Sequence, residues 1–332
     1  MKPFNIFKTA VVFVFFLSIS ACDEPSKKPA DKPVDTNISY KQISPVFNAD
    51  SAYNWVQKQV DFGPRFCNSS GHTACGNYLV DEFKRFADEV IEQKAVVKNF
   101  DGKNLNIKNI IASFNPTAAK RVLISAHWDS RPYADQDPNP ENHNKPILAA
   151  DDAASGVAVM LEMARQMKAV RPEIGIDFIC FDAEDLGKSN AGNDTYCLGS
   201  QYWSKNKHKP GYKADYGILL DMVGAFNAHF IWEGYSVEYA EPILRKVWDQ
   251  AIQLGFSNNF YYYKGGSITD DHYYVNTLAG IPTIDIIHYS ENTETRFAPH
   301  WHTLGDNMSV IDRNTLKAVG QTLMEVVYKE GK

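Results

Sequence analysis

The chain has 332 residues, 44% of them hydrophobic and 22% charged, with a formal net charge of −6. This length holds one large domain or two small ones, and the composition is that of an ordinary globular protein. The acidic balance and the lack of any basic stripe exclude nucleic acid as the partner.

Residues 1–22, MKPFNIFKTAVVFVFFLSISAC, have a basic start at Lys2 and Lys8, an apolar middle, and small residues before Cys22. That is the pattern of an export signal, and the apolar run is short for a membrane span. The stretch ISAC resembles a bacterial lipobox, so residues 1–21 are expected to be removed and Cys22 to carry a lipid. Residues 22–40 are polar and rich in Pro and Lys, and read as a flexible tether. The protein is then exported and membrane-anchored, faces the periplasm or the cell exterior, and touches the membrane only through its lipid. An exported chain can form disulfides: Cys67 and Cys75 flank a short loop and could pair, whereas Cys180 lies in an apolar run and reads as a buried thiol.

Two helical patterns follow, over residues 49–60 with Ala52, Trp55 and Val56 on one face, and over residues 74–90 with Tyr78, Leu79, Phe83 and Phe86. The FGPR between them is a turn. Strand-like runs come next: NIKNIIASF, RVLISAHWDS, IGIDFICFDAED, YGILLDMVG and IPTIDIIHY. Several are near-continuously apolar, as strands covered on both faces are. Helical patterns separate the later runs: DAASGVAVMLEMARQMKAV, CLGSQYWSKNK, EPILRKVWDQAIQLG and NTLKAVGQTLMEVVYKE. Strand–helix alternation predicts a single α/β domain, a mostly parallel central sheet flanked by helices on both faces. Ligands of such sheets bind outside the carboxyl ends of the strands.

Those strand ends carry the polar residues. One run ends in His127 and Asp129, the next in Glu184 and Asp185, and another in Asp221; Asp151 and Asp152 precede a helix, and His300 and His302 come late. Imidazole and carboxylate are ligand types that zinc takes. Any one alone is weak evidence, since Asp152 could be a helix cap and lone loop histidines such as His72, His143 and His208 read as surface. Together, at successive strand ends, they predict a metal site. Alternate strand residues point the same way, so Asp129 can lie beside His127 and orient its ring. Adjacent residues point apart, so Asp185 can bind metal while Glu184 stays free for proton transfer. Asp182 reads as a structural acid that faces away.

The stretches HWDS, AADDAASGVAVMLEMAR, FDAEDLG, CLGSQYW, LLDMVG and WHTLGDN resemble, in order and spacing, the zinc aminopeptidase and glutaminyl cyclase superfamily over residues 45–330. The nearest resemblance is to bacterial glutaminyl-peptide cyclotransferases, which carry a long loop like RPYADQDPNPENHNKPIL. The resemblance makes residues 41–332 one catalytic domain of the zinc aminopeptidase-like fold. It implies that Asp152, Asp185 and His302 hold one zinc and that the bond from Asp152 to Ala153 is cis. It implies too that Glu184 is the acid/base, that Asp270 hydrogen-bonds with it, and that Trp301 packs against the glutamine side chain of the substrate. The chain departs from the animal cyclases in two places: Asp185 stands where they have Glu, and a tryptophan that follows has no counterpart in LGKSNAGNDTY.

The reaction so implied converts the N-terminal glutamine of peptides or proteins to pyroglutamate with release of ammonia. The alternative is an aminopeptidase, in which a second zinc binds His127 and Asp221 and Asp152 bridges the pair; all five ligands are present. The tripeptide of Trp301, His302 and Thr303, with Asp270 and the long loop, favours the cyclase. Relatives that became receptors tend to lose ligands, and none is lost here. A monomer is expected.

Overall fold

Helix α1 (Ala49–Val60) starts where Asn48 accepts the N–H of Ser51, satisfying one of the free donors that every helix start exposes. Helix α2 (Ser70–Phe86) starts the same way, with Ser69 accepting the N–H of His72. It therefore begins four residues before its apolar pattern does. The computed structural model describes residues 40–332; the expected leader, Cys22 and the rest of the tether lie outside the described residues. Tyr40, read above as the last tether residue, is already packed, with Glu325 and Gln250 bonded to its hydroxyl.

Six strands form the main sheet: β1 (Glu89–Lys98), β2 (Asn104–Phe114), β3 (Arg121–His127), β4 (Gly175–Phe181), β5 (Tyr216–Asp221) and β8 (Thr283–Ile287), in the order β1-β2-β4-β3-β5-β8. The pairings β4-β3, β3-β5 and β5-β8 are parallel; β2 is antiparallel to both its neighbours and alone runs against the rest. The mostly parallel sheet is as expected. Strand β1 was not: residues 87–90 were read as the end of a helix. EVIEQKAVVK is an edge strand of mixed polarity with no fully buried residue, its apolar residues split by Glu92, Gln93 and Lys94, so it lacks the continuous apolar run that marks the others. A short pair, β6 (Phe230–Trp232) and β7 (Phe260–Lys264), stands apart from the main sheet.

Strands β3, β4, β5 and β8 are buried along their whole length, because helices cover both faces. Alternation sends Val122, Ile124, Ile176 and Phe178 into one layer, with α1, α2, α3 (Ala154–Ala169), α5 (Gly234–Gln253) and α7 (Arg313–Glu330). It sends Leu123, Ile179 and Phe181 into the other, with Trp203 of α4 (Leu198–Lys205) and with Val275, just after α6 (Asp271–Tyr274). Helix α3 lies close on the sheet at Gly156, where a Cβ would stand 2.6 Å from the carbonyl oxygen of Leu220. Helix α5 reaches further toward the N-terminus than its pattern and bends at Ala240, two residues before Pro242, as a ring without an N–H imposes.

The pairing left open for two cysteines is not made, and the surface reading of three histidines is corrected. Cys67 and Cys75 are free thiols: the early start of α2 puts Cys75 in the main core, while Cys67 lies in a separate small cluster and donates to Asp182. His72 is buried, stacked on Trp128 and 2.9 Å from Asp182. His208 and His143 are half-buried, accepting the indole N–H of Trp203 and meeting the carbonyl of Asp137. Asp182 does face away from the strand-end cluster, with Cys67, His72 and the N–H of Lys108 around it.

Phe178 is fully buried between Phe83 and Phe114. Phe178→Ala should lower stability by about 3–5 kcal/mol, read by urea unfolding; a loss below about 1 kcal/mol would show that this layer does not depend on the contact.

Candidate active site

The carboxyl ends of the parallel strands meet at one level, with His127 beside Phe181 and Asp221 beside Ile287 in register. The residues that follow each strand converge there. Glu184 and Asp185 leave β4 by a turn at Ala183, and Asp221 is followed by Met222; both turn residues have left-handed φ, +53° and +48°. Asp152 precedes α3 across a cis bond to Ala153. His302, φ +54°, comes from the loop before α7. Such φ values cost a non-glycine residue energy and persist where the surroundings hold them.

Two sets of ligand atoms result, each lying within 4.8 Å of one another: Asp152, Asp185 and His302, and His127, Asp152 and Asp221. In the first, His302 Nε2 is 3.1 Å from Asp185 Oδ1 and 3.9 Å from Asp152 Oδ2. In the second, His127 Nε2 is 2.8 Å from Asp152 Oδ1 and 3.5 Å from Asp221 Oδ1. One imidazole and two carboxylates is a donor set zinc accepts. Asp185 Oδ2 and Asp221 Oδ1 are buried without a hydrogen-bond donor, a state that is costly unless a cation serves it. The residues fit a zinc site.

Asp152, Asp185, Asp221 and His302 line a cavity of about 540 Å³, which also takes in Glu184, Asp270 and Trp301. Burial, with Asp185, Asp270 and Asp271 adding to it and His127 opposing, holds the Glu184 carboxyl well above the usual range. Burial and the charge of Asp221 push Asp270 up to about 7. Glu184, Cys197 and Asp270 offer atoms within 4.8 Å of one another, and Cys197 donates to Glu184 at 3.1 Å. Trp301 is half-buried rather than in the core; its ring stacks on His302 at 3.5 Å, with Phe297 at 4.6 Å behind.

Asp129 lies 3.4 Å from His127 Nδ1, as its spacing suggested, and also accepts the N–H groups of Glu184 and Asp185. His300 and Asp151 are not in the ligand sets: His300 bonds Asp151, which also accepts the N–H of Gly224. Several groups escaped the sequence reading. Asp306 accepts the N–H groups of Asp151 and Asp152. Arg65, placed in a plain turn, is buried and donates to the carbonyls of Trp128, Leu148 and Ala149. Arg131 donates to Asp185. The one available signal was a basic residue beside each motif, which is too common to select. Tyr196, at the end of the segment LGKSNAGNDTY, lines the cavity.

Residues 109–327 match peptidase family M28. Among solved structures, the chain is similar to a Zn-dependent exopeptidase from Parabacteroides distasonis ATCC 8503, with 52% identity and a TM-score of 0.85 over 86% of this chain and 99% of that one. It is similar to Bacteroides thetaiotaomicron glutaminyl cyclase bound to N-acetylhistamine, with 50% identity and a TM-score of 0.84 over 86% and 99%. The glutaminyl-peptide cyclotransferase of Bos taurus is 26% identical over 298 residues, 80% of this chain and 78% of the relative.

Proposed function

The chain belongs to peptidase family M28, and we propose that it is a glutaminyl-peptide cyclotransferase, a zinc-dependent enzyme that converts N-terminal glutamine to pyroglutamate and ammonia. The observation that carries this over the aminopeptidase is Trp301. Its flat face stacks on His302 and walls the cavity beside Glu184 and Asp270, where it can confine an uncharged, flexible side chain. The similarity to solved glutaminyl cyclases supports the same reading.

Asp152, Asp185 and His302 would hold zinc, which supplies Lewis acidity toward an amide oxygen. Glu184 takes a proton from the α-amine, whose nitrogen forms a bond to the γ-carbonyl carbon. It returns that proton to the departing amide nitrogen, which leaves as ammonia. A raised pKa suits a carboxyl that must serve as base and then as acid, and burial supplies it here. Asp270, close by and itself raised to about 7, can share the proton and keep it near the reacting nitrogen. Trp301 keeps the glutamine side chain folded toward its own amine, a gain in positioning.

A single zinc is the count we favour. His127 Nε2, 2.8 Å from Asp152 Oδ1, would then act as a hydrogen-bonding partner that orients this ligand. The N-terminal reading stands with this function: a lipid on Cys22 would tether the enzyme outside the cytoplasm, where it would meet peptide and protein N-termini as a monomer.

The direct test pairs two substrates. The purified protein should release ammonia from Gln-peptides and leave a Leu-anilide intact; anilide hydrolysis without ammonia release would establish the aminopeptidase. Metal analysis should give one zinc per chain, lost in His302→Ala and kept in His127→Ala, while two zinc ions falling to one in His127→Ala would refute the single site. Glu184→Gln should keep zinc and lose at least about a hundredfold in turnover. Trp301→Ala should melt like the parent, hold zinc and cyclise poorly, with Trp301→Phe recovering part; parental activity in Trp301→Ala would remove the main feature favouring a cyclase.

A further inference from the structure

The long segment 131–148 has no part in the chemistry above, yet it returns to the metal site at several points. Gln136 donates its N–H to the carbonyl of His302 at 3.1 Å. Asp137 accepts the N–H of Leu304 at 3.0 Å. Asp135 Oδ1 lies 3.3 Å from His302 Nδ1, the nitrogen on the far side of the ring from Asp152 and Asp185. Arg131 completes the arrangement. Its Nε and Nη2 hold both oxygens of Asp135 at 2.7 Å, and its Nη1 reaches Asp185 Oδ1 at 3.1 Å and the Asp185 carbonyl at 3.0 Å.

We infer that Asp135 is a positioning residue for the metal site, joined through Arg131 into a clamp that sets the His302 ring against the Asp185 carboxylate. The inference rests on the zinc reading given above. The physical reason begins with the tautomer. Asp135 Oδ1 stands 3.3 Å from Nδ1 as a neighbouring negative charge, without a formed hydrogen bond, and a proton drawn to that side leaves the Nε2 lone pair facing the metal ligands. The ring needs such a hold, because His302 sits on a left-handed backbone that would relax without one. Asp185 needs a hold too. Its Oδ1 is shared between Arg131 and His302, and Oδ2 has no other donor, so the guanidinium fixes which oxygen stays available. Only a planar fork can grip one carboxylate with two N–H groups and turn a third to another. Two of the three ligands, from loops more than a hundred residues apart, thus share one support.

Asp135 is 37% exposed at its side chain, so it can be replaced without opening the core. Zinc affinity, measured by competition with a chromogenic chelator, should fall about 10–100-fold in Asp135→Ala, and less in Asp135→Asn, which keeps an acceptor oxygen. The chelator-treated protein should melt at the parental temperature in both. Arg131→Lys should weaken zinc as well; if that variant does not fold, the Asp135 pair decides. Parental zinc affinity in Asp135→Ala overturns the clamp. So does a loss of affinity matched by an equally lowered melting point of the zinc-free protein, which would assign Asp135 to folding. A parent protein that binds no zinc would instead sink the zinc reading itself.

Discussion

Five carboxylates, Asp152, Glu184, Asp185, Asp221 and Asp270, line one cavity, and their mutual repulsion is the constraint around which this protein is built. Two like charges 4 Å apart cost about 4 kcal/mol even at an effective dielectric of 20. Several such pairs could not persist without compensation. The imidazoles of His127 and His302 lie among the acids, Arg131 lies against Asp185, and Cys197 donates to Glu184. What these leave unbalanced favours a bound divalent cation and raises the proton affinity of Glu184.

A parallel sheet suits this problem. Its strands end together, so residues far apart in the chain arrive at one place with their backbones fixed by the ladder. Both faces of β3, β4, β5 and β8 are covered, which keeps the strands rigid and the acids at their ends poorly solvated. Poor solvation raises the pKa of Glu184 and Asp270, so the packing that stabilises the fold also creates the reactive state of the site.

The same segment of chain can carry structure on one side and chemistry on the other. Asp182, at the end of β4, turns to His72, Cys67 and Lys108, while Glu184 and Asp185, two and three residues on, enter the cavity. The left-handed turn at Ala183 divides them. A shift of one residue in β4 would turn its buried side chains to the opposite face and displace the turn at Ala183 that aims these acids. The unbroken register of β3 with β4 is therefore a condition of activity as well as of stability.

The fold class and the main members of the site were legible in the sequence, because both follow from local pattern. Apolar runs of strand length identify buried strands whatever their neighbours, and acids where such runs stop identify the strand ends; Glu184, Asp185, Asp221 and His127 all declare themselves in this way. Tertiary structure alone decided what depends on distance between remote segments. Strand β1 is a strand because β2 lies beside it, and its own apolar residues, Val90, Ile91, Ala95, Val96 and Val97, are split by three polar ones. Arg65 and Arg131 become buried supports only because loops fold back over them. Cys67 and Cys75, close in sequence, are parted by the starting point of one helix. Periodicity records which side of an element is apolar, whereas the partner of a polar side chain is set by packing that brings distant residues within 3 Å of each other.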